Sequence, residues 1–375
     1  MAESADTEIA PPRFLPRAAF SSLLDCLKGA GRRCIGPQVK DGAIVYDTLH
    51  SVDELPAGVH DRQVPGEYRL RHSGDVRYFA WANGPQALKP LSFAPRESMW
   101  RAERDALGRI RFMPVAPAAE PLAVIGVRAC DLAALRIQDR IFLHDSHRDP
   151  YYAARRQGLF LVAVNCSHPA ETCFCASTGD GPEVTHSHDI ALSELDEGFV
   201  AEAGSEEGRR VLAALALGPA SAAQLQRAAD QTAHAARVQQ RSLPGRNLRD
   251  VLFARLEHPR WNDVAERCLS CGNCTLVCPT CFCHAESERP QLDGGASEHV
   301  REWDSCFSQG HSHIHGLTIR PDTRTRYRQW LTHKLGSWHD QFGTSGCVGC
   351  GRCIAWCPVG IDITEETHAL CGDGA

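Results

Sequence analysis

Two short cysteine-rich stretches carry most of the chemistry open to this chain. Cys268-Leu-Ser-Cys271-Gly-Asn-Cys274-Thr-Leu-Val-Cys278-Pro279 and Cys347-Val-Gly-Cys350-Gly-Arg-Cys353-Ile-Ala-Trp-Cys357-Pro358 both read C-x2-C-x2-C-x3-C-P, the spacing that holds a cubane 4Fe-4S cluster in bacterial-type ferredoxins. Three thiolates two residues apart wrap three corners of a cubane only if the loop curls tightly, and Gly272, Gly349 and Gly351 give the backbone that freedom. In two-cluster ferredoxins the fourth Cys ligates the other cluster. On that pattern Cys268, Cys271, Cys274 and Cys357 hold one cubane, and Cys347, Cys350, Cys353 and Cys278 hold the second. The motifs lie far apart in sequence, so each set of four could instead be self-contained. Structural zinc is the competing reading; it commonly uses two C-x2-C pairs around one tetrahedral ion, whereas here four Cys followed by Pro occur twice.

A further set of thiols lies upstream. Cys130 and Asp131 follow the apolar run Leu122 to Val127, and Cys166, Cys173 and Cys175 follow the apolar run Leu159 to Val164. Two buried strands thus deliver Cys to their C-terminal ends, where open α/β sheets carry their sites. Four thiols are what a third 4Fe-4S cluster needs. Against it stand the one-residue spacing in Cys173-Phe-Cys175 and the behaviour of free Cys as a small buried hydrophobe. His168 reads as a loop residue, close enough to be an alternative ligand, and Asp131 as the N-cap of the helix that follows. Cys281, Cys283 and Cys306 exceed the needs of two cubanes and read as core thiols, with the lining of the cluster cavity as the alternative. His311-Ser-His313-Ile-His315 alternates like a strand and could bind metal, but with no carboxylate or Cys alongside it reads as a solvated or hydrogen-bonded segment.

The elements that must position these residues divide the chain near residue 245. Residues 1 to about 20 read as a Pro-rich extended arm, followed by a helix over Phe20 to Leu27. Ile35 to Tyr46 has the hairpin signal of Asp41-Gly42 between apolar alternations, and Tyr68 to Trp81 repeats it around Ser73-Gly74-Asp75. Leu192 to Gly204 reads as a strand pair. Glu206 to Gln240 reads as two amphipathic helices split at Gly218-Pro219. Asn247 to Ala265 reads as a helix leading into the cluster region, the spacer through Arg328, Trp330 and Trp338 as helical, and the closing helix as capped at Thr364. The expected fold is α+β: a strand-rich α/β domain over 1-245, then a mainly α-helical two-cluster ferredoxin-like domain over 246-375.

Composition narrows the function classes. The 375 residues are 43% apolar, ordinary for a globular protein, and the net charge of -6 gives no electrostatic case for nucleic acid or an anionic membrane surface. No apolar run approaches the length of a membrane span. The stretch Met1 to Ala19 lacks a signal-peptide core, so the eighteen Cys point to a reducing cytoplasm rather than to disulfides. Gly29-Ala-Gly31-Arg-Arg-Cys34 lacks the third glycine of a dinucleotide-binding turn. No C-x2-C pairs remain for a nickel-iron centre, and no catalytic residue or substrate site is evident.

Cys268 to Cys283, Trp303-Asp-Ser-Cys-Phe307, Tyr327-Arg-Gln-Trp-Leu-Thr-His-Lys334 and Gly346 to Asp362, with Gly126 to Leu132, Asn165-Cys166 and Thr172 to Cys175 upstream, resemble the beta, iron-sulfur subunit of soluble sulfhydrogenases, which are nickel-iron hydrogenase/sulfur reductase complexes. The electron-transfer subunit of anaerobic sulfite reductase is similar. The resemblance covers most of the chain and is weakest over 205 to 245. It implies partners: nickel-iron hydrogenase subunits with a flavin-containing NAD(P)H-binding subunit, or a sirohaem sulfite reductase subunit in the alternative. It also implies a role, the relay of single electrons among them. A metal-stapled scaffold without redox work is the reading from another class, and colourless, redox-silent zinc would be its mark.

Overall fold

The computed structural model describes residues 11–372. Residues 1–10 of the expected arm lie outside the described residues; beyond them the arm is no loose segment, because Arg13–Pro16 is a strand between Gly198–Ala203 and Gly218–Pro219.

The architecture is built on two nearly continuous apolar strands. Leu122–Arg128 and Leu159–Val164 are buried along their whole length, as strands covered on both faces must be. They pair in parallel, with Arg33–Lys40 and Ile190–Leu195 parallel on either side. The eight-stranded sheet runs in the order Gly218–Pro219, Arg13–Pro16, Gly198–Ala203, Ile190–Leu195, Leu159–Val164, Leu122–Arg128, Arg33–Lys40, Ala43–Thr48. Helix Phe20–Gly29 packs Leu23, Leu24 and Leu27 on one face against Ala123, Ile125 and Val162. Helix Ala129–Leu143 packs Leu132 and Leu135 on the other against Val124, Val127 and Leu161.

One irregularity matters for the site. Gly126 takes φ of 84°, and the pairing with Leu159–Val164 shifts register between Ile125 and Val127. The shift breaks strict alternation, placing Val127 on the same face as Val124. A Cβ at position 126 would meet the Phe79 ring at 2.8 Å, so the kink that aims Arg128 and Cys130 requires glycine.

The C-terminal region packs short helices around a third apolar core of Trp261, Leu331, Leu335, Ile354 and Leu370, with Cys268, Cys274, Cys306, Cys353 and Cys357 set against it. It also contributes a hairpin, His284–Pro290 with Ala296–Trp303, to a sheet completed by Arg96–Arg104 and Ile110–Pro114. Strands from both sides of residue 245 therefore share one sheet.

Local expectations are met at the Asp41-Gly42 hairpin, at the Ile190–Leu195 and Gly198–Ala203 pair, and at the helices on either side of Gly218-Pro219. Others change. The second hairpin joins Val59–Val64 to Glu67–His72 through Pro65-Gly66, because alternation in Tyr68 to His72 is matched by an earlier run that the Ser-Gly-Asp signal masked. Asn247 to Ala265 breaks into Arg249–Phe253 and Arg260–Arg267, with Pro259 at the second start. The closing helix Ile363–Cys371 is capped by Asp362, whose carboxylate accepts from Thr364 N–H.

Candidate metal centres

Both cysteine loops fold into the same curl. Ser270 and Gly349, each two residues after a first Cys, take φ of 50° and 64°, and Gly272 and Gly351 follow at 78° and 75°. One-turn helices Asn273–Leu276 and Arg352–Ala355 then carry the third Cys of each loop. In the second loop glycine serves a further need. A Cβ at Gly349 would lie 2.6 Å from Cys175 Cα, and one at Gly351 would lie 2.4 Å from the Thr172 carbonyl oxygen. Phe174 N–H donates to the Gly349 carbonyl at 2.8 Å, so this loop rests directly on the segment bearing Cys173 and Cys175.

The curl groups the thiols across the two motifs. Cys268, Cys271, Cys274 and Cys357 line one cavity, whose remaining wall includes Leu269, Phe307, Tyr327 and Trp330 and no charged side chain. Cys278 lies within electrostatic reach of Cys347, Cys350 and Cys353 of the other loop, as well as of Cys274 of its own. Cys353 also borders the first cavity, so the two groups share a wall. Backbone N–H groups of Ser270, Gly349 and Ile361 donate to the sulfurs of Cys268, Cys347 and Cys357 at 3.4, 3.5 and 3.3 Å. Such bonds are among the levers that set cluster potential.

Among the described residues no three His, Cys, Asp or Glu side chains converge to hold a single ion. The first group instead surrounds a mostly apolar space, and soft thiols disposed in that way suit a cluster that presents a separate iron to each sulfur.

Electrostatics differ between the groups. Burial pushes the Cys347 thiol up to about 12 and holds Cys274 and Cys353 well above the usual thiol range, so binding a metal there displaces protons. Cys278 is held well below that range, first by the hydrogen bond from Cys281 and then by Lys334, whose Nζ donates to Cys278 Sγ at 3.4 Å. Lys334 reaches that point from a π-bulge, His333–Ser337, inside the helical stretch from Thr323 to Phe342. Bulges of this kind are frequent at functional sites.

Upstream, Cys130, Cys166, Cys173 and Cys175 are all buried. Cys175 feels Cys166, and Cys173 feels both. Cys130 lies within reach of Cys175 and of Cys350. Arg128, 1% exposed, lies within electrostatic reach of Cys166, and its Nη2 donates to the carbonyls of Phe79 and Trp81. Its Nε and Nη1 are buried without a hydrogen-bond partner. The Trp81 ring, 4.0 Å from the guanidinium, and the Asp61 carboxyl within electrostatic reach face this buried cation, and a thiolate-bound cluster would add negative charge beside it.

Asp131 does not cap its helix, which begins two residues earlier at Ala129. Its carboxylate receives Arg352 Nη1 and Nη2 at 2.8 and 3.0 Å. Arg352 Nε donates to the Gly84 carbonyl at 2.7 Å, and Asn83 Nδ2 donates to the Cys350 carbonyl at 2.9 Å. The second cysteine loop is therefore clamped to the C-terminal end of the parallel sheet. Sequence reasoning gave Lys89, Lys334, Arg128 and Arg352 no role, although Arg128, Lys334 and Arg352 stand in the runs that carry the family resemblance and Arg352 lies inside a cysteine loop.

His168 is half-buried in the loop after Cys166, its ring 5.0 Å from His60. The run 311–315 is only partly a strand. Gln309–Ser312 is a helical turn and His313–Ile314 pairs with Leu317–Thr318, while His311 gains both a carboxylate, Asp304, and a thiol, Cys283.

Residues 267–361 match the family described as "4Fe-4S dicluster domain". Over 346 residues, 92% of this chain and 93% of the relative, the sequence is 30% identical to sulfhydrogenase 2 subunit beta of Pyrococcus furiosus. No solved structure matches.

Proposed function

The chain belongs to the family of sulfhydrogenase beta subunits, and on that premise we propose that it relays single electrons between a nickel-iron hydrogenase/sulfur reductase centre and a flavin-containing NAD(P)H-binding subunit. The observation that carries this reading is the shared wall at Cys353. It leaves no gap between the thiol group of Cys268, Cys271, Cys274 and Cys357 and that of Cys347, Cys350, Cys353 and Cys278, so two stations would stand in series.

In this reading residues 246–375 are the cluster-bearing unit, and each group of four thiols is the ligand set of one 4Fe-4S cluster. Cys130, Cys166, Cys173 and Cys175 are the ligand set of a third, with Arg128 as its buried counter-charge. A bound cluster supplies one-electron transfer without bond making or breaking. The protein's part is to keep water away with Phe307, Tyr327 and Trp330, to donate N–H groups to sulfur, and to tune the sites apart. Lys334 beside Cys278 places a positive charge at the second site and none at the first, which raises the second potential relative to the first. Among the described residues no helix is long and apolar enough to cross a membrane, and the proposed place of work is the cytoplasm.

The partner assignment is tested by anaerobic capture of the tagged full-length chain from its native cells, with metal and cofactor analysis of what accompanies it. Nickel and flavin in the captured complex are expected. Sirohaem with no nickel would replace the reading by that of an anaerobic sulfite reductase component.

A further inference from the structure

Of the six cysteines beyond the eight motif and four upstream ones, Cys281, Cys283 and Cys306 lie between the two motifs, where the sequence presents them as core thiols or as lining of the cluster cavity. The structure gathers them differently. All three line a cavity of about 340 Å³, together with His311, His333, Lys334 and Trp330. Cys283 is hydrogen-bonded both to Cys306 and to His311, and Cys281 to Cys278. Cys278 is not in the wall of this cavity, so Cys281 stands on the boundary between it and the second thiol group.

The histidine is placed as a ligand would be. His311 Nδ1 is paired with Asp304 Oδ2 at 2.8 Å, which leaves Nε2 as the nitrogen available on the cavity side. A carboxylate behind one ring nitrogen, fixing the tautomer while the other faces a metal, is the usual support for a ligating imidazole. His333 is occupied otherwise: its Nε2 bonds Gln341 at 3.0 Å and its Nδ1 accepts from Trp338 Nε1 at 3.4 Å.

The charge balance calls for an anion in the same place. Lys334 and Lys89 are 3% and 4% exposed. Among the described residues no carboxylate pairs with either: Lys334 Nζ bonds Thr280, the Gly346 carbonyl and Cys278. Lys89 Nζ reaches carbonyls at 275, 276 and 278 and lies 4.0 Å over the Trp303 ring. The nearby groups able to carry negative charge are the sulfurs of Cys278, Cys281 and Cys283. Two buried ammonium groups without a carboxylate are costly unless anions face them.

We propose that Cys281, Cys283, Cys306 and His311 form a further iron-sulfur ligand site, three thiolates and one imidazole, beside the second thiol group. The site takes a 4Fe-4S cluster, and it extends the relay by one station, each electron entering from the Cys278 side as a one-electron reduction with no bond formed or broken. The proposal stands on the isolated chain and does not depend on which partner subunits it serves.

The test is iron and acid-labile sulfide per chain in the full-length protein, reconstituted with ferrous iron and sulfide without oxygen. The double variant Cys283→Ser with Cys306→Ser is expected to lose about four irons and four sulfides relative to wild type. Cys173→Ser, in the upstream group, is expected to remove a different four, so failure of either site is seen separately. As a check independent of misfolding, His311→Cys should retain the iron and lower the midpoint potential of one cluster, because a thiolate replaces a neutral imidazole. Wild-type iron in the double variant, loss of zinc in place of iron, or unchanged potentials in His311→Cys would each overturn the site.

Discussion

Cys357→Ser is expected to remove about four irons per chain by emptying the group built from Cys268, Cys271 and Cys274, while the loop that carries Cys357 stays loaded. The reason is geometric. Cys357 leaves the second curl after helix Arg352–Ala355 and enters the wall of the first cavity, whereas Cys278, the fourth Cys of the first curl, faces Cys347, Cys350 and Cys353. Pairs of substitutions make the assignment visible. Cys357→Ser combined with Cys274→Ser should cost one cluster, because both residues serve the same site. Cys357→Ser combined with Cys353→Ser should cost two. If each motif were self-contained the outcomes would be exchanged, so iron analysis of the two double variants decides between the arrangements.

Asp131→Ala is expected to destabilise the protein by about 3–5 kcal/mol, the typical result of leaving one member of a buried ion pair uncompensated. Asp131 and Arg352 are each 1% exposed and joined by two hydrogen bonds. The change strands the Arg352 guanidinium between the sheet and the second cysteine loop. Removing both charges, with Asp131→Ala and Arg352→Met together, should restore part of the loss, because no bare charge then remains buried. Urea unfolding of the wild type and the two variants under identical cluster loading measures this. A single-variant loss below about 1 kcal/mol would show that the pair is solvated or dispensable, and with it that the clamp does not hold the loop.

What could be read from the sequence follows from how local each signal is. The ferredoxin curls were legible because ligand spacing, glycines and the following proline lie within a dozen residues, and the two central strands because burial on both faces writes itself as a continuous apolar run. The approach of Cys130 to Cys175 was legible for a related reason, since the C-terminal ends of neighbouring parallel strands meet at one edge. The partners of Asp131, Lys334 and His311 were not. Arg352 lies 221 residues from Asp131, and Lys334 reaches Cys278 only because a π-bulge rotates it there. Periodicity predicts neither. For His311 the carboxylate was already seven residues upstream at Asp304, but nothing in the spacing says that Cys283 folds back onto the same ring. The hairpin His284–Pro290 with Ala296–Trp303 was missed because both strands are polar in sequence, the first exposed and the second only partly buried, so no alternation of apolar residues marks them.

The relay account rests on iron-sulfur clusters at the paired cysteine loops, and the direct measurement is iron, zinc and acid-labile sulfide per chain on protein purified without oxygen, with EPR of the dithionite-reduced sample. At least about eight irons and as many sulfides, with signals of reduced 4Fe-4S clusters and further increments of four for the upstream group and the Cys283 site, are predicted. Zinc in place of iron, or an EPR-silent reduced sample, would contradict it and leave the thiols as structural staples.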